Sequence, residues 1–196
     1  VVGLGPSSAF DAEAARRAAA AAAKKARELG ARTLGTVAHG AGAGGLDAAT
    51  AARATLEGSA LAAYDFRGWK RRREERPRLE RVSLLEADAA KVPALEEGAK
   101  VARAVAAGTF LARDLVNTPA NVANPAYLAS AAASLAGRGG LRVSVHDAAW
   151  AAEHRMGSFL AVARGSANEP RFVVMEHGPQ DQDAPTVVLV GKGVTF

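Results

Sequence analysis

One amine stands out among the residues able to do chemistry. Lys192 lies between Gly191 and Gly193, directly after the apolar run 187–190. Flanking glycines let a backbone turn tightly at the end of a strand, so this lysine is predicted to project from a strand exit. Read alone, a lysine there is an ordinary surface cation. The four histidines are His39, His146, His154 and His177, and they form no His-Glu-x-x-His pair. His146, Asp147 and His154 are predicted to share one side of a short helix, where isolated histidines usually cap or face solvent. Cysteine is absent, which excludes disulfides, thiolate zinc sites, iron–sulfur clusters and a cysteine nucleophile. That absence fits a reducing cytoplasm.

Two glycine motifs fall short of a function. Gly3-Leu4-Gly5 follows a predicted strand but lacks the third glycine and the ribose-binding acid of a dinucleotide fingerprint. A nucleotide-binding regulatory domain therefore rests on Gly3 and Gly5 alone. His39-Gly40-Ala41-Gly42 is reminiscent of a hydrolase oxyanion loop, yet no Gly-x-Ser-x-Gly elbow exists anywhere. This loop is read as a flexible connector.

Charge is concentrated in one place. Residues 67–81 hold Arg67, Lys70, Arg71, Arg72, Arg73, Arg76, Arg78 and Arg81 against Glu74, Glu75 and Glu80. Their balance equals the net charge of the whole chain, +5. Tyr64, Phe66 and Trp69 lie beside them, and basic runs with nearby aromatics can grip nucleic acid. A solvated connector, broken by Pro77, is the favoured reading. The rival function is a nucleic-acid-binding or regulatory α/β module that uses Arg67, Lys70, Arg71, Arg72, Arg73 and Arg76.

The elements that must position these groups follow from pattern. With 196 residues, 49% hydrophobic and 23% charged, the chain can bury a core without staples. Its longest purely apolar alanine run, 18–23, is far shorter than the roughly 20 residues a membrane span needs. Strands are predicted at 1–4 and 32–38, with helices at 11–29 and 46–63. Ser7 or Ser8 is the expected cap of the first helix, and Gly30 its stop. This cadence is that of an α/β layer with a mixed or parallel sheet and flanking helices. A strand near 81–86 precedes a long helical pattern at 94–116, which Pro119 ends. Pro125 opens a helix at 126–136, with Asn124 as its cap. Strands at 141–145, 159–162, 172–175 and 187–190 surround a short helix at 148–154. The expected organisation is an N-terminal α/β domain over 1–92 with a basic connector at 64–81, a linker helix over 93–116, and an incomplete second α/β domain over 117–196. Both ends read as lying inside domains.

Three stretches in register carry a resemblance. Residues 112–121 read Ala-Arg-Asp-Leu-Val-Asn-Thr-Pro-Ala-Asn, residues 156–166 Met-Gly-Ser-Phe-Leu-Ala-Val-Ala-Arg-Gly-Ser, and residues 188–196 Val-Leu-Val-Gly-Lys-Gly-Val-Thr-Phe. Together with Pro170-Arg171-Phe172, they resemble the leucine aminopeptidase, or cytosol aminopeptidase, family of two-metal exopeptidases. The likeness is strong from about residue 94 onward and weaker before it. It implies removal of N-terminal residues, often leucine, from peptides. It also implies two divalent metals (manganese or zinc), a bicarbonate base in some members, a cytoplasmic setting and a homo-hexamer. Some bacterial members bind DNA, which gives the basic segment a second meaning. By resemblance, Lys192 is a metal ligand. The carboxylates, the second lysine and the arginine that complete such a site follow this lysine in the family. None of them lies within residues 193–196, so no catalytic residue is assigned in this chain. A segment carrying those groups is the expected partner, and it would cover the apolar edge at 187–190.

Overall fold

The computed structural model describes residues 2–42, 44–66, 68–69, 78–178 and 185–195. These form two compact units, Val1–Asn117 and Thr118–Phe196. The mixed α/β class expected from the sequence is what the chain adopts.

The first unit holds α1 (Ala12–Glu28), β1 (Thr33–Thr36), α2 (Ala48–Ala63), β2 (Arg81–Leu84) and α3 (Val92–Asn117). Asp11 caps α1 by accepting a hydrogen bond from the Ala14 N–H at 2.7 Å. The expected serines instead lie in a short 3₁₀ turn, Ser7–Ala9. Gly30 ends α1 with a φ of 77°, a conformation glycine adopts without a Cβ penalty. β1 and β2 pair in parallel, Thr33 opposite Arg81 and Thr36 opposite Leu84. Of the strand expected at 1–4, residues 2–4 are described, and they form no strand. Val2 and Leu4 are exposed, and among the described residues no neighbouring strand satisfies that backbone. The loop read as a flexible connector is instead packed. Leu46 N–H donates to the Gly40 carbonyl at 3.1 Å, and Phe10 and Leu46 press on Gly40.

Small side chains build the core of this unit. Ala15, Ala18, Ala19 and Ala23 form a buried stripe on α1 at the spacing of one helical face. Ala51, Ala52, Ala54, Thr55 and Gly58 are buried on α2, and Leu95, Gly98, Ala102 and Ala106 on α3. Alanine and glycine at these crossings let α2 approach both α1 and α3 closely. The helix expected as a linker over 93–116 thus packs as the third helix of the first unit.

One buried carboxylate bridges the first two helices. The Glu57 side chain is 4% exposed. Its Oε2 accepts from Arg16 Nε at 3.1 Å and Nη2 at 3.0 Å, and its Oε1 accepts from Arg53 Nε at 2.7 Å. Arg16 also pairs with Glu13, which holds Arg17. Hydrogen bonds from Arg16, then Arg17, hold the Glu13 carboxyl below its ordinary range. Both guanidiniums facing Glu57 are partly solvated, so breaking the set costs less than for a wholly dry pair. Glu57→Ala is expected to destabilise the first unit by about 2 kcal/mol. Urea denaturation of the two proteins measures this, and an unchanged midpoint would remove the bridge from the account.

The second unit holds α4 (Pro125–Ala133), β3 (Arg142–His146), α5 (Ala148–Glu153), α6 (Gly157–Ala163) and β4 (Phe172–Glu176). Asn124 caps α4 through the Tyr127 N–H at 2.9 Å, as expected. β3 and β4 pair antiparallel, Arg142 opposite Glu176 and His146 opposite Phe172. The run 159–162, expected as a strand, lies in α6. A short apolar run carries no period that separates strand from helix, and alanines at 161 and 163 favour the helix. The strand expected at 187–190 is also absent, since among the described residues no partner strand hydrogen-bonds it. Its side chains are 74–93% exposed.

Candidate functional site

Lys192 follows that exposed segment and is itself exposed. It has no hydrogen-bond or ion-pair partner among the described residues. Nor is there, among them, any group of three or more His, Asp or Glu side chains able to hold a metal. An ammonium has no lone pair, so a lysine ligates metal only as the neutral amine. A nearby dication and burial both favour that form. Hard and borderline dications also need carboxylate or imidazole donors. One solvated amine does not supply such a set, so these residues do not fit a two-metal centre by themselves.

The nucleic-acid candidates Arg67, Lys70, Arg71, Arg72, Arg73 and Arg76 lie outside the described residues. Their flanks are visible. Tyr64 O–H donates to Asp114 Oδ1 at 2.8 Å, and Asn117 Nδ2 donates to the Tyr64 oxygen at 3.3 Å. Arg113 lies 5.2 Å from the Tyr64 ring centroid and donates to the Leu61 carbonyl at 3.0 Å. Desolvation and the bond to Asp114 hold the Tyr64 hydroxyl above the usual phenol range. On the far flank, Arg32 Nη2 donates to both Glu80 oxygens at 3.0 and 2.9 Å. The chain is therefore pinned on both sides of the basic segment within the first unit.

His39, in the turn after β1, donates its backbone N–H to Thr55 Oγ1 at 3.0 Å. Burial pushes its imidazole below the ordinary histidine range. It is a half-buried turn residue, held against α2 by that backbone bond.

The grouping at His146, Asp147 and His154 is organised by a residue that sequence reasoning missed. Asp147 caps α5 by accepting from the Trp150 N–H at 2.9 Å. The Trp150 indole stacks on His146 at 4.0 Å and 19°, and on His154 at 4.0 Å and 25°. Phe172 lies 5.5 Å from the indole, and Phe159 meets Phe172 edge-on at 5.9 Å. An open cleft of about 410 Å³ is lined by Val145, His146, Asp147, Trp150 and Arg171. His146, Asp147 and His154 do not share one helix face as expected: His146 ends β3, Asp147 is the cap of α5, and His154 follows its last turn. The spacing 150 to 154 was the available signal, since i and i+4 side chains meet on a helix.

Comparison with known proteins settles the lineage. Residues 1–73 match the N-terminal domain of the cytosol aminopeptidase family, and residues 110–196 match its catalytic domain. The probable cytosol aminopeptidase of Roseiflexus castenholzii is 41% identical over 201 residues, an alignment taking in 100% of this chain and 40% of that protein. The cytosol aminopeptidase of Pseudomonas aeruginosa is 43% identical over 151 residues, covering 76% of this chain and 30% of that one. Among solved structures, a manganese complex of the bottromycin maturation enzyme BotP superposes with a TM-score of 0.74 at 34% identity, over 92% of this chain and 36% of its own. A mutant tomato leucine aminopeptidase gives 0.69 at 30% identity, over 82% and 32%. The chain spans about two fifths of the length of the curated relatives that align along all of it. On the two domain matches and these relatives, the chain belongs to the cytosol aminopeptidase family.

Proposed function

We propose that this chain supplies the N-terminal domain and the opening part of the catalytic domain of a metal-dependent aminopeptidase. The enzyme releases N-terminal residues, leucine foremost, from peptides. Family membership carries the reading. Manganese in the BotP structure supports divalent metal use, with manganese or zinc as the ion and bicarbonate as an accessory base. Lys192, between two glycines, is the one ligand assigned within these residues, and it would bind metal only as the neutral amine. Its companions are carboxylates from a further catalytic segment. We further propose that the working enzyme is cytoplasmic and homo-hexameric. No helix among the described residues is long and apolar enough to cross a membrane.

When bound, a pair of divalent ions supplies an activated hydroxide and stabilises the charge that develops on a peptide carbonyl. The part played by this chain is positional. Val187, Val188, Leu189 and Val190 would carry the backbone to Lys192, and Gly191 and Gly193 would leave it free to present the amine. Because the donor set is incomplete, residues 1–196 by themselves are expected to hydrolyse leucine p-nitroanilide with added manganese at the rate of buffer and metal alone. The assay compares this chain with a bacterial cytosol aminopeptidase as positive control. Robust turnover by residues 1–196, abolished by a chelator, would overturn the incomplete-site reading.

A further inference from the structure

We propose that the His146–Trp150–His154 column is a protonation-sensitive clasp on the β3–α5 corner of the second unit, tightening as its imidazoles take up charge. The reading is independent of Lys192 and of the peptidase proposal. Both imidazoles lie 4.0 Å from one indole and nearly parallel to it. Two rings cannot share one face at that distance, so the indole is sandwiched between them. Neutral imidazoles stack on indole as ordinary aromatics. An imidazolium on the same face adds a cation–π attraction, for which indole is the best partner.

His154 gains a second time. Its Nδ1 sits 2.8 Å from the Trp150 carbonyl. A carbonyl can only accept, so Nδ1 carries the hydrogen and a further proton goes to Nε2. The hydrogen bond to the carbonyl then becomes charge-assisted. His146 gains on the other face, and its strand partner Phe172 also contacts the indole. Tightening the column therefore ties α5 to both strands at once. The leverage is large because the buried hydrophobics of this unit, among the described residues, are only Ala129 and Ala151.

The charges around the column permit this response. Asp147 and Arg171 line the cleft beside His146. Their charges are opposite, and Arg171 is held by Glu169 at 2.9 Å and by the Pro170 carbonyl at 2.9 Å. Glu153 and Arg155 flank His154 with opposite signs. α4 and α6 carry no charged residue, with Tyr127 the sole titratable group on them. Arg142 and Glu176 face each other at the far end of the β3–β4 ladder.

The test uses Trp69→Phe, which leaves Trp150 as the single indole. An imidazolium in contact quenches indole emission. Acidification from about pH 8 to pH 5, the range in which histidine changes charge, is expected to lower Trp150 emission roughly twofold. His146→Gln and His154→Gln each remove part of the change, and the double variant removes it. The urea midpoint followed through Trp150 rises on acidification in the Trp69→Phe protein and stays flat in the double variant. His39, whose burial disfavours charge, acts with the opposite sign in the first unit, so the indole readout isolates the second. Emission that does not respond to pH overturns the clasp. So does an acid response that survives in the double variant, or a midpoint that falls in acid equally with and without the histidines.

Discussion

Alanine at both Gly58 and Gly98 is expected to abolish the cooperative folding of the first unit. A Cβ on Gly58 would lie 2.1 Å from the Arg16 carbonyl oxygen, and one on Gly98 would lie 2.2 Å from the Ala49 carbonyl oxygen. Both obstacles are helix backbone, which cannot rotate aside as a side chain can. Relief requires α1 to move off α2, or α3 off α2, by about an ångström. Such a shift opens the alanine stripes that form most of the core, where close packing is what holds the helices. Overpacking of this kind costs about 3 kcal/mol at each site. The gain in helix propensity from glycine to alanine returns about 1 kcal/mol each. The remainder approaches the lower end of the ordinary stability of a domain, about 5 kcal/mol. Circular dichroism in urea is the measurement, with each single variant showing a lowered midpoint and the double variant a broad, non-cooperative loss. Wild-type midpoints would mean that the helices do not meet at these glycines.

Lys192→Ala in the full gene product is expected to lower kcat/KM at least about 100-fold, with a matching loss of bound metal. Lys192→Arg should restore nothing. A guanidinium stays protonated at any usable pH and offers no lone pair, so retention of charge and length would not help. This pattern separates a ligand from a surface cation, for which arginine is a mild replacement. Full activity in the alanine variant would remove Lys192 from the centre.

Much of the scaffold was legible in the residues. The alanine stripe of α1, the stop at Gly30, the break at Pro119 and the start at Asn124-Pro125 each state a local preference that packing then reinforces. Other features depend on partners the local sequence does not name. Val187, Val188, Leu189 and Val190 are strand formers by composition, yet a strand exists only when another strand pairs with it. Phe159 to Val162 carried too few residues to reveal a period, and the helix won. His146 and His154 were seen as isolated because the residue that joins them, Trp150, was counted as helix and not as chemistry. For the proposed site, Lys192 was marked by its glycines and by family likeness, while the carboxylates that the likeness implies have no counterpart among the described residues.

The most direct measurement is a crystal structure of the full gene product saturated with manganese. The expected result is the Lys192 Nζ within direct coordinating distance of one ion, with carboxylates completing both coordination shells. An Nζ in bulk solvent with both ions fully coordinated elsewhere would contradict it.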